Sequence, residues 1–167
     1  CLDISIKNTS IHNLARAVII KNDHILLGYD PRSKPIHYYE PGARFYYLPR
    51  GHIEFKESAK AALIREIQEE IGHTAIIERY LGSIENNWSF DGDSIYYHTH
   101  EVNHIFKCDV LDIDPKIELP QVDADVAFHW VKLNELYNIN LRPVKLKELI
   151  PTWLSQDLNN AWCSLIN

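Results

Sequence analysis

The N-terminal part of the chain has the pattern of two short apolar strands joined by a turn. Leu14–Lys21 and His24–Tyr29 are rich in aliphatic and β-branched residues, a composition typical of half-buried or buried strands. Asn22 and Asp23, which lie between them, favour turns because their short polar side chains tolerate left-handed backbone conformations. The pattern therefore predicts a β-hairpin.

A long loop and a third strand are predicted to follow. The loop spans residues 30–43 and contains Pro31, Pro35, Pro41 and Gly42, the residues that interrupt regular structure most strongly. Arg44–Leu48 is aromatic and alternating, and it stops at Pro49. Proline lacks the backbone N–H that a strand ladder uses, so we expect this strand to end there.

Residues 58–71 have the clearest helical pattern. Ser58 precedes the segment as a candidate N-cap, and Gly72 follows it at the position where a left-handed residue commonly ends a helix. Three apolar residues recur at four-residue spacing and form one stripe: Leu63, Ile67 and Ile71. The stripe predicts that this helix packs against the core with that face.

Strand-like and helix-like segments alternate over the rest of the chain, which predicts an α/β or α+β fold. Extended segments are predicted at 74–84, 95–110 and 126–133, and a polar loop at 85–94. Helices are predicted at 134–137, at 143–150 with Pro143 at the start, and at 152–164. No internal repeat or linker divides the chain, so residues 1–167 are predicted to form one domain.

Composition narrows the class of protein. The chain has 167 residues, of which 46% are apolar, and a formal net charge of −6, which argues against a broad electrostatic grip on long nucleic acid. No apolar run is long enough to span a bilayer. The three cysteines are distant and include no CxxC pair, so neither a disulfide framework nor a zinc site is indicated. We expect a soluble, cytoplasmic protein without a membrane partner.

The predicted helix at 58–71 carries a second, acidic face. Glu66, Glu69 and Glu70 stand at positions i, i+3 and i+4, so their carboxylates converge within little more than one turn. Two interpretations are open. The cluster is either a solvated surface or a site for a hard divalent cation, which prefers carboxylate oxygens.

The residues around this cluster favour the second interpretation. From Gly51 onward the chain contains a glycine, five residues, a glutamate, seven residues, and then Arg-Glu-Ile-Gln-Glu-Glu-Ile-Gly. The fixed positions are Gly51, Glu57, Arg65, Glu66, Glu69, Glu70 and Gly72. This segment, residues 51–73, resembles the Nudix box, and the order of elements around it is similar to that of the Nudix (MutT-like) hydrolases.

The resemblance implies a fold and an activity. The expected fold is an α/β/α sandwich with a mixed sheet and a catalytic box helix. The expected activity is hydrolysis of a nucleoside diphosphate linked to another moiety, with Mg²⁺ or Mn²⁺ as cofactor. The substrate would be a nucleoside triphosphate, a nucleotide-sugar or a dinucleoside polyphosphate. A divalent cation would also remove the repulsion between the acidic helix and the phosphates.

The resemblance also implies roles for the box residues. Glu66 and Glu70 would be the principal metal ligands, and Glu69 a further ligand or the base. Arg65 would orient the carboxylates through charge-assisted hydrogen bonds. Glu57 would be either an outer metal ligand or a partner of Arg65.

The chain departs from the family pattern at two positions. His73 stands where the box usually ends in an apolar residue, and Arg50 stands where relatives commonly have glycine. The backbone carbonyl of this second position often ligates metal in the family. If the position requires a positive φ, Arg50 would be strained by about 1–2 kcal/mol. Its side chain would reach either a substrate phosphate or solvent.

The general base varies across the family and often lies outside the box. The candidates are Glu101, Glu118, Asp123 and Asp125, of which Glu101 and Asp123 are favoured by their distance from the sheet. Each of these acids has the alternative of a solvated surface position.

Aromatic and histidine side chains supply further candidates. Trp88 and Phe90 would either stack on a nucleobase or anchor their loop, and Tyr47 is a candidate pocket wall. A separate group shares one strand face by alternation and would be either a transition-metal site or a packed cluster: His98, His100 and His104.

Three functions from different classes remain open at this stage. The first is a Nudix-type pyrophosphohydrolase, and the second is a Nudix-fold module that binds or senses a nucleotide with weak or no catalysis. The third is a protein whose acidic helix is only a solvated face. A homodimer is also open, since dimers are frequent in the family.

Overall fold

The structure is a computed structural model that describes residues 11–33, 43–89, 98–122, 124–155 and 162–164. These residues form eight strands, two α-helices and a 3₁₀ helix. In chain order they are β1 (Ile11–Lys21), β2 (His24–Tyr29), β3 (Tyr46–Tyr47), β4 (Arg50–His52), α1 (Ala59–Ile71), β5 (Ala75–Ser89), β6 (His98–Val110), β7 (Ala127–Lys132), the 3₁₀ helix (Leu133–Asn138), α2 (Leu146–Leu154) and β8 (Trp162–Ser164).

The predicted hairpin is confirmed. β1 and β2 pair antiparallel with Ile20 opposite Ile25. Asn22 and Asp23 have φ values of 48° and 62°, and two positive φ angles at the centre of a two-residue turn match the right-handed twist of the strands beside it.

The strands form one mixed sheet in the order β3-β2-β1-β6-β5-β8, with β4 also paired to β1 and β7 to β2. β1 pairs parallel with β6, and β5 with β8, while the other pairings are antiparallel. The expected mixed sheet is therefore confirmed. The parallel β1–β6 pair lies at its centre and brings together residues about ninety positions apart in sequence.

Helices cover both faces of the sheet. Alternate residues of β1 point to opposite faces, so Ala15, Ala17 and Ile19 pack with Leu63 and Ile67 of α1. Val18 lies in the other core cluster, which contains the apolar residues of α2: Leu146, Leu149, Ile150 and Trp153. This arrangement is the α/β/α sandwich that the sequence predicted.

Helix α1 begins and ends where the sequence predicted. The Ser58 side chain accepts a hydrogen bond from the Ala61 N–H, which satisfies one of the donors left open in the first turn. Gly72 ends the helix at φ 78°, a left-handed conformation that glycine adopts without a steric penalty. The stripe of Leu63, Ile67 and Ile71 is buried as expected.

Two predicted boundaries near the middle of the chain are wrong. β5 continues to Ser89, so residues 85–89 belong to a strand rather than to a polar loop. Pairing with β6 supplies backbone hydrogen bonds that the polar composition of this segment did not reveal. A short strand, Arg50–His52, follows Pro49 immediately, where only the end of a strand was expected.

The C-terminal prediction also requires correction. Residues 143–150 and 152–164 were expected to form two helices, but Leu146–Leu154 is one helix that includes Pro151. Its apolar face is packed on both sides of the proline, and this packing outweighs the missing N–H. Trp162–Ser164 is a strand that pairs with β5. Within the described ranges, the helices are too short or too polar to cross a bilayer.

Candidate active site

The Arg65 guanidinium is the centre of an ion-pair cluster on α1. Its Nε and Nη2 donate to the two oxygens of Glu57, each at 3.0 Å. Its Nη1 donates to Glu66 at 2.9 Å and to Glu69 at 3.3 Å. Nη2 also donates to the backbone carbonyl of His52 at 3.1 Å. One cation therefore fixes three box carboxylates relative to one another and to β4.

These contacts stabilise the charged forms of both partners. Hydrogen bonds from Arg65, followed by one from the Glu54 backbone N–H, hold the pKa of Glu57 below its usual value. Hydrogen bonds to Glu57 raise the pKa of Arg65 most, burial opposes them, and the hydrogen bond to Glu66 adds to the rise. The Arg65–Glu57 pair thus stays ionised at neutral pH. Of the two roles left open for Glu57, the structure shows the contact with Arg65.

The backbone of Gly51 packs directly against the side chain of Glu66, and we call this contact the Gly51 floor. A Cβ atom at position 51 would lie 1.8 Å from the Glu66 Cγ and 2.2 Å from its Cδ, distances at which no side chain fits. Gly51 pairs with Ala15 in the β1–β4 ladder, so the backbone has no room to retreat. Close approach of β4 to α1 is therefore the physical reason for glycine at the first box position.

Burial raises the pKa of Tyr47 to about 12, and the charge of Glu70 adds to the rise while Arg50 opposes it. The Tyr47 ring also packs against Gly28, where a Cβ would come within 2.6 Å of it. Tyr47 is therefore a half-buried neutral phenol beside the acidic face.

The box glutamates have the chemistry that a hard divalent cation requires, since they offer only carboxylate oxygens. Among the described residues, no group of three His, Cys, Asp or Glu side chains is already arranged around a common metal position. The geometry explains this, because Glu57, Glu66 and Glu69 are turned towards Arg65. The donor set fits a divalent cation, and binding would require side-chain rotation towards it.

The backbone at Arg50 is unstrained. Arg50 is absent from the residues with positive φ in the described chain and lies in β4 opposite Arg16, so the strain considered for this position does not arise. Hydrogen bonds from Ala17 to Pro49 and from Ile53 to Asn13 place the Arg16–Arg50 pair at a non-hydrogen-bonded position of the ladder. The carbonyl of Arg50 therefore points away from β1.

Glu101 has a different environment from the expected one. It is not a solvated surface acid, because its side chain is only 4% exposed. Its two oxygens accept hydrogen bonds from Arg16 Nη2 and Arg50 Nη1, both at 3.2 Å. The structure therefore shows Glu101 as a buried carboxylate shared by two guanidinium groups.

Sequence reasoning missed two residues of this network. Arg16 Nε donates to the Asn103 side-chain oxygen at 2.5 Å, and the Asn103 amide donates to the Ile84 carbonyl at 3.3 Å. Burial and the nearby Arg50 lower the pKa of Arg16 to about 10. The signal for Arg16 was present, since an arginine within an apolar strand requires a buried anionic partner.

The remaining candidates lie elsewhere or outside the described chain. Asp123 and Phe90 are outside the described residues, as is the side chain of Trp88, although its backbone belongs to β5. Asp125 forms an ion pair with Arg32 at 2.8 Å. Glu118 is exposed.

Among the described residues, no histidine belongs to a transition-metal site, and the side chain of His98 lies outside the described residues. His104 makes hydrogen bonds with Asn13 at 2.9 Å and with Ser83 at 3.4 Å, as a packed side chain does. A histidine pair that the sequence did not indicate joins β1 to the first residues of the box. His12 Nδ1 and His52 Nε2 are 2.9 Å apart, and burial, followed by the charges of His12 and Arg50, lowers the pKa of His52.

Comparison with known proteins agrees with this site. The family model of the NUDIX domain matches residues 11–152. No curated protein matches the chain. Among solved structures, the NUDIX hydrolase from Nitrosomonas europaea is 23% identical over 88% of this chain and 90% of that chain, with a TM-score of 0.63.

Two further solved structures share the fold. An ADP-ribose pyrophosphatase from Streptococcus suis is 19% identical over 92% of this chain and 97% of that chain, with a TM-score of 0.60. A UDP-X diphosphatase is 21% identical over 92% of this chain and 67% of that chain, also with a TM-score of 0.60.

The class defined by this fold and this box is that of the hydrolases acting on phosphoric anhydride bonds. The chain belongs to the Nudix family, because the family model covers most of its length. Members of the family act on nucleotide-type small molecules and generally use divalent metal ions.

Proposed function

We propose that the protein is a divalent-metal-dependent pyrophosphohydrolase that cleaves a nucleoside diphosphate linked to another moiety by attack of water on phosphorus. The observation that carries the proposal is the Arg65 cluster, in which one guanidinium holds Glu57, Glu66 and Glu69 above the Gly51 floor. Exposed ion pairs contribute little to stability. A purely solvated acidic face therefore gives no reason for one arginine to hydrogen-bond with three carboxylates.

The cation is proposed to be Mg²⁺ or Mn²⁺. Glu66 and Glu70 would hold it, with Glu69, Glu57 and the Arg50 carbonyl as further ligands. When bound, the ion would offset the charge of the phosphates and lower the pKa of the attacking water. The outward direction of the Arg50 carbonyl in the β1–β4 ladder supports its place in this set.

In this scheme, side chains of the protein orient the metal-binding carboxylates and deprotonate the attacking water. Arg65 restrains the carboxylates, as outer hydrogen bonds to metal ligands generally do. Of the three carboxylates that accept hydrogen bonds from the Arg65 side chain, Glu69 is the most exposed, at 59%, so we propose Glu69 as a ligand or as the base. Asp123 is the second candidate for the base. Tyr47, Trp88 and Phe90 remain candidates for contacting the nucleoside.

The proposal includes a small nucleotide substrate, no long nucleic acid and a cytoplasmic location. The formal charge of −6 supports a small substrate whose charge is offset locally rather than a polyanionic partner. One domain over residues 1–167 is part of the same proposal and is supported by the single sheet that the described strands share.

The test is phosphate release from a substrate panel with Mg²⁺ or Mn²⁺. The panel contains nucleoside triphosphates, nucleotide-sugars, ADP-ribose, a UDP-linked sugar and dinucleoside polyphosphates. We expect turnover of one class, and a loss of at least about 10-fold in Glu70→Gln, because outer-shell changes alone cost that much. The matched control is Glu78→Gln, whose side chain pairs with Lys107 outside the box and should leave turnover unchanged.

Two outcomes would count against the proposal. Turnover that survives equally in Glu70→Gln and Glu78→Gln would remove the box from the chemistry. Nucleotide binding without turnover of any panel member would instead support the nucleotide-sensing module.

A further inference from the structure

A chain of polar side chains runs from the buried sheet to the rim of the box. Ile84 accepts from Asn103, Asn103 accepts from Arg16, Arg16 donates to Glu101, and Glu101 accepts from Arg50. Exposure rises along it, from 3% for the Arg16 side chain and 4% for Glu101 to 38% for Arg50. The network is rigid at its buried end and reaches solvent only at Arg50.

The charges of this network do not balance within it. Arg16 and Arg50 together carry two positive charges, and Glu101 supplies one negative charge. The two arginines also stand opposite each other in the β1–β4 ladder, a placement that is destabilising for like charges. One carboxylate bridging both cations reduces the repulsion but leaves a net positive charge beside an acidic helix.

Donors remain available on both arginines. Arg16 Nη1 is buried and has no hydrogen-bond partner among the described residues, which is unusual, since buried polar groups are nearly always satisfied. The hydrogen bond from Arg50 to Glu101 uses only Nη1, and the Arg50 side chain is 38% exposed, so the other nitrogens of its guanidinium make no side-chain hydrogen bond within the described residues. The Tyr47 ring lies 5.3 Å from the Arg50 guanidinium carbon and steadies it from one side.

The position of Arg50 relates this network to the box. Arg50 directly precedes Gly51, whose backbone touches Glu66. The charge of Glu70 also acts on Tyr47, which contacts the Arg50 guanidinium. A polyanionic group held between the acidic face of α1 and this part of β4 therefore has the Arg50 guanidinium within its surroundings.

We propose that the Arg50 side chain binds a phosphate oxygen of the substrate, and that Glu101 and Arg16 are positioning residues that aim it. The inference rests on the proposed function and deepens it. It names Arg50 as the residue whose positive charge offsets the substrate phosphates, which the acidic residues of α1 would repel. Glu101 then acts through Arg50 and not as the base that deprotonates water.

The test compares steady-state kinetics of Arg50→Ala, Arg50→Lys, Glu101→Gln and the double variant Arg50→Ala/Glu101→Gln. Arg50→Ala is expected to raise KM by about 10-fold or more, the value of one charge-assisted hydrogen bond. Arg50→Lys should recover part of this loss, since lysine keeps the charge without the planar donor pair. Lys116→Ala serves as the control and should match wild type, because Lys116 is exposed and belongs neither to the box nor to the Arg16–Glu101–Arg50 network.

The double variant separates positioning from proton transfer. If Glu101 acts through Arg50, adding Glu101→Gln to Arg50→Ala has little further effect, because the energies of residues acting through one contact are not additive. The pH dependence of kcat should also keep its acidic limb in Glu101→Gln. A large further fall in kcat, or the loss of that limb, would overturn the positioning role and make Glu101 the base.

A binding measurement keeps the inference separate from the proposed function. Inorganic pyrophosphate is titrated into wild type and Arg50→Ala, and the thermal shift with Mg²⁺ alone reports whether the box is intact. Weaker pyrophosphate binding in Arg50→Ala with an unchanged Mg²⁺ shift supports the inference even if no panel substrate is turned over. Equal pyrophosphate binding and an equal KM in both proteins would overturn it. This arm does not depend on Glu101→Gln folding normally.

Discussion

Gly51 is the residue at which the space available in this site is most restricted. Gly51→Ala places a methyl group within 1.8 Å of Glu66, so either β4 or the Glu66 side chain must move. We expect loss of hydrolysis together with a lower melting temperature, because the substitution overpacks a buried contact. Steady-state kinetics and thermal unfolding of the variant measure both effects.

Gly72→Ala is the matched control for this prediction. Gly72 has a positive φ but nothing within 4 Å of the added Cβ, so its substitution should cost about 1–2 kcal/mol of stability with hydrolysis largely retained. Full activity in Gly51→Ala would contradict the role of this glycine as the floor of the site.

At the scale of elements, α1 is held by its apolar stripe and not by its charges. Ile67 is 1% exposed and packs with β1 and its neighbours. Ile67→Ala should lower the free energy of unfolding by about 2–5 kcal/mol, the range for buried aliphatic truncation. Urea unfolding measures it.

Ile64 offers a comparison within the same helix, since it is 37% exposed. Ile64→Ala should change the free energy of unfolding by less than about 1 kcal/mol, as surface substitutions usually do. Similar losses in the two variants would mean that α1 is not anchored by this face.

The sequence predicted elements well where one local pattern decided them, and less well where pairing decided them. The hairpin and α1 each carry their own turn, cap and periodicity. Residues 85–89 and 162–164 are strands only because β5 pairs with β6 and β8. Pro151 continues α2 because packing on both sides of it outweighs its local effect.

At the scale of the whole molecule, ion pairs predict how stability depends on pH. Hydrogen bonds from Arg32, Arg65 and Lys21 hold the pKa of Asp30, Glu57 and Asp109, respectively, below their usual values. A carboxylate with a lowered folded-state pKa contributes stability above its unfolded pKa, and this contribution is lost as the pH falls through the folded value. The melting temperature should therefore fall at pH values below about 4.

Asp109→Asn tests this at one pair, which lies outside the box. Wild type should melt above the variant at pH 6, and the difference should shrink as the pH approaches about 3, since protonation removes the same charge. Glu135→Gln is the control, because Glu135 is exposed and has no ion pair within the described part of the chain. A difference for Asp109→Asn that stays constant from pH 6 to 3 would contradict the assignment.

The sequence by itself determined the family, the box helix and the residues that line its acidic face. It could do so because these features lie within 23 consecutive positions, and the helix among them has local physical causes: a cap at each end and a helical period of apolar and acidic residues. The mixed sheet and the two-sided packing followed from the resemblance and are confirmed.

Only the tertiary structure decided the partners of Arg50 and Glu101. Arg16 and Glu101 are 85 positions apart, and they meet because β1 pairs parallel with β6. No local pattern encodes such a contact, since it depends on which strands become neighbours and on which face each side chain points to. The same pairing makes Glu101, a candidate base in the sequence, a buried partner of two arginines.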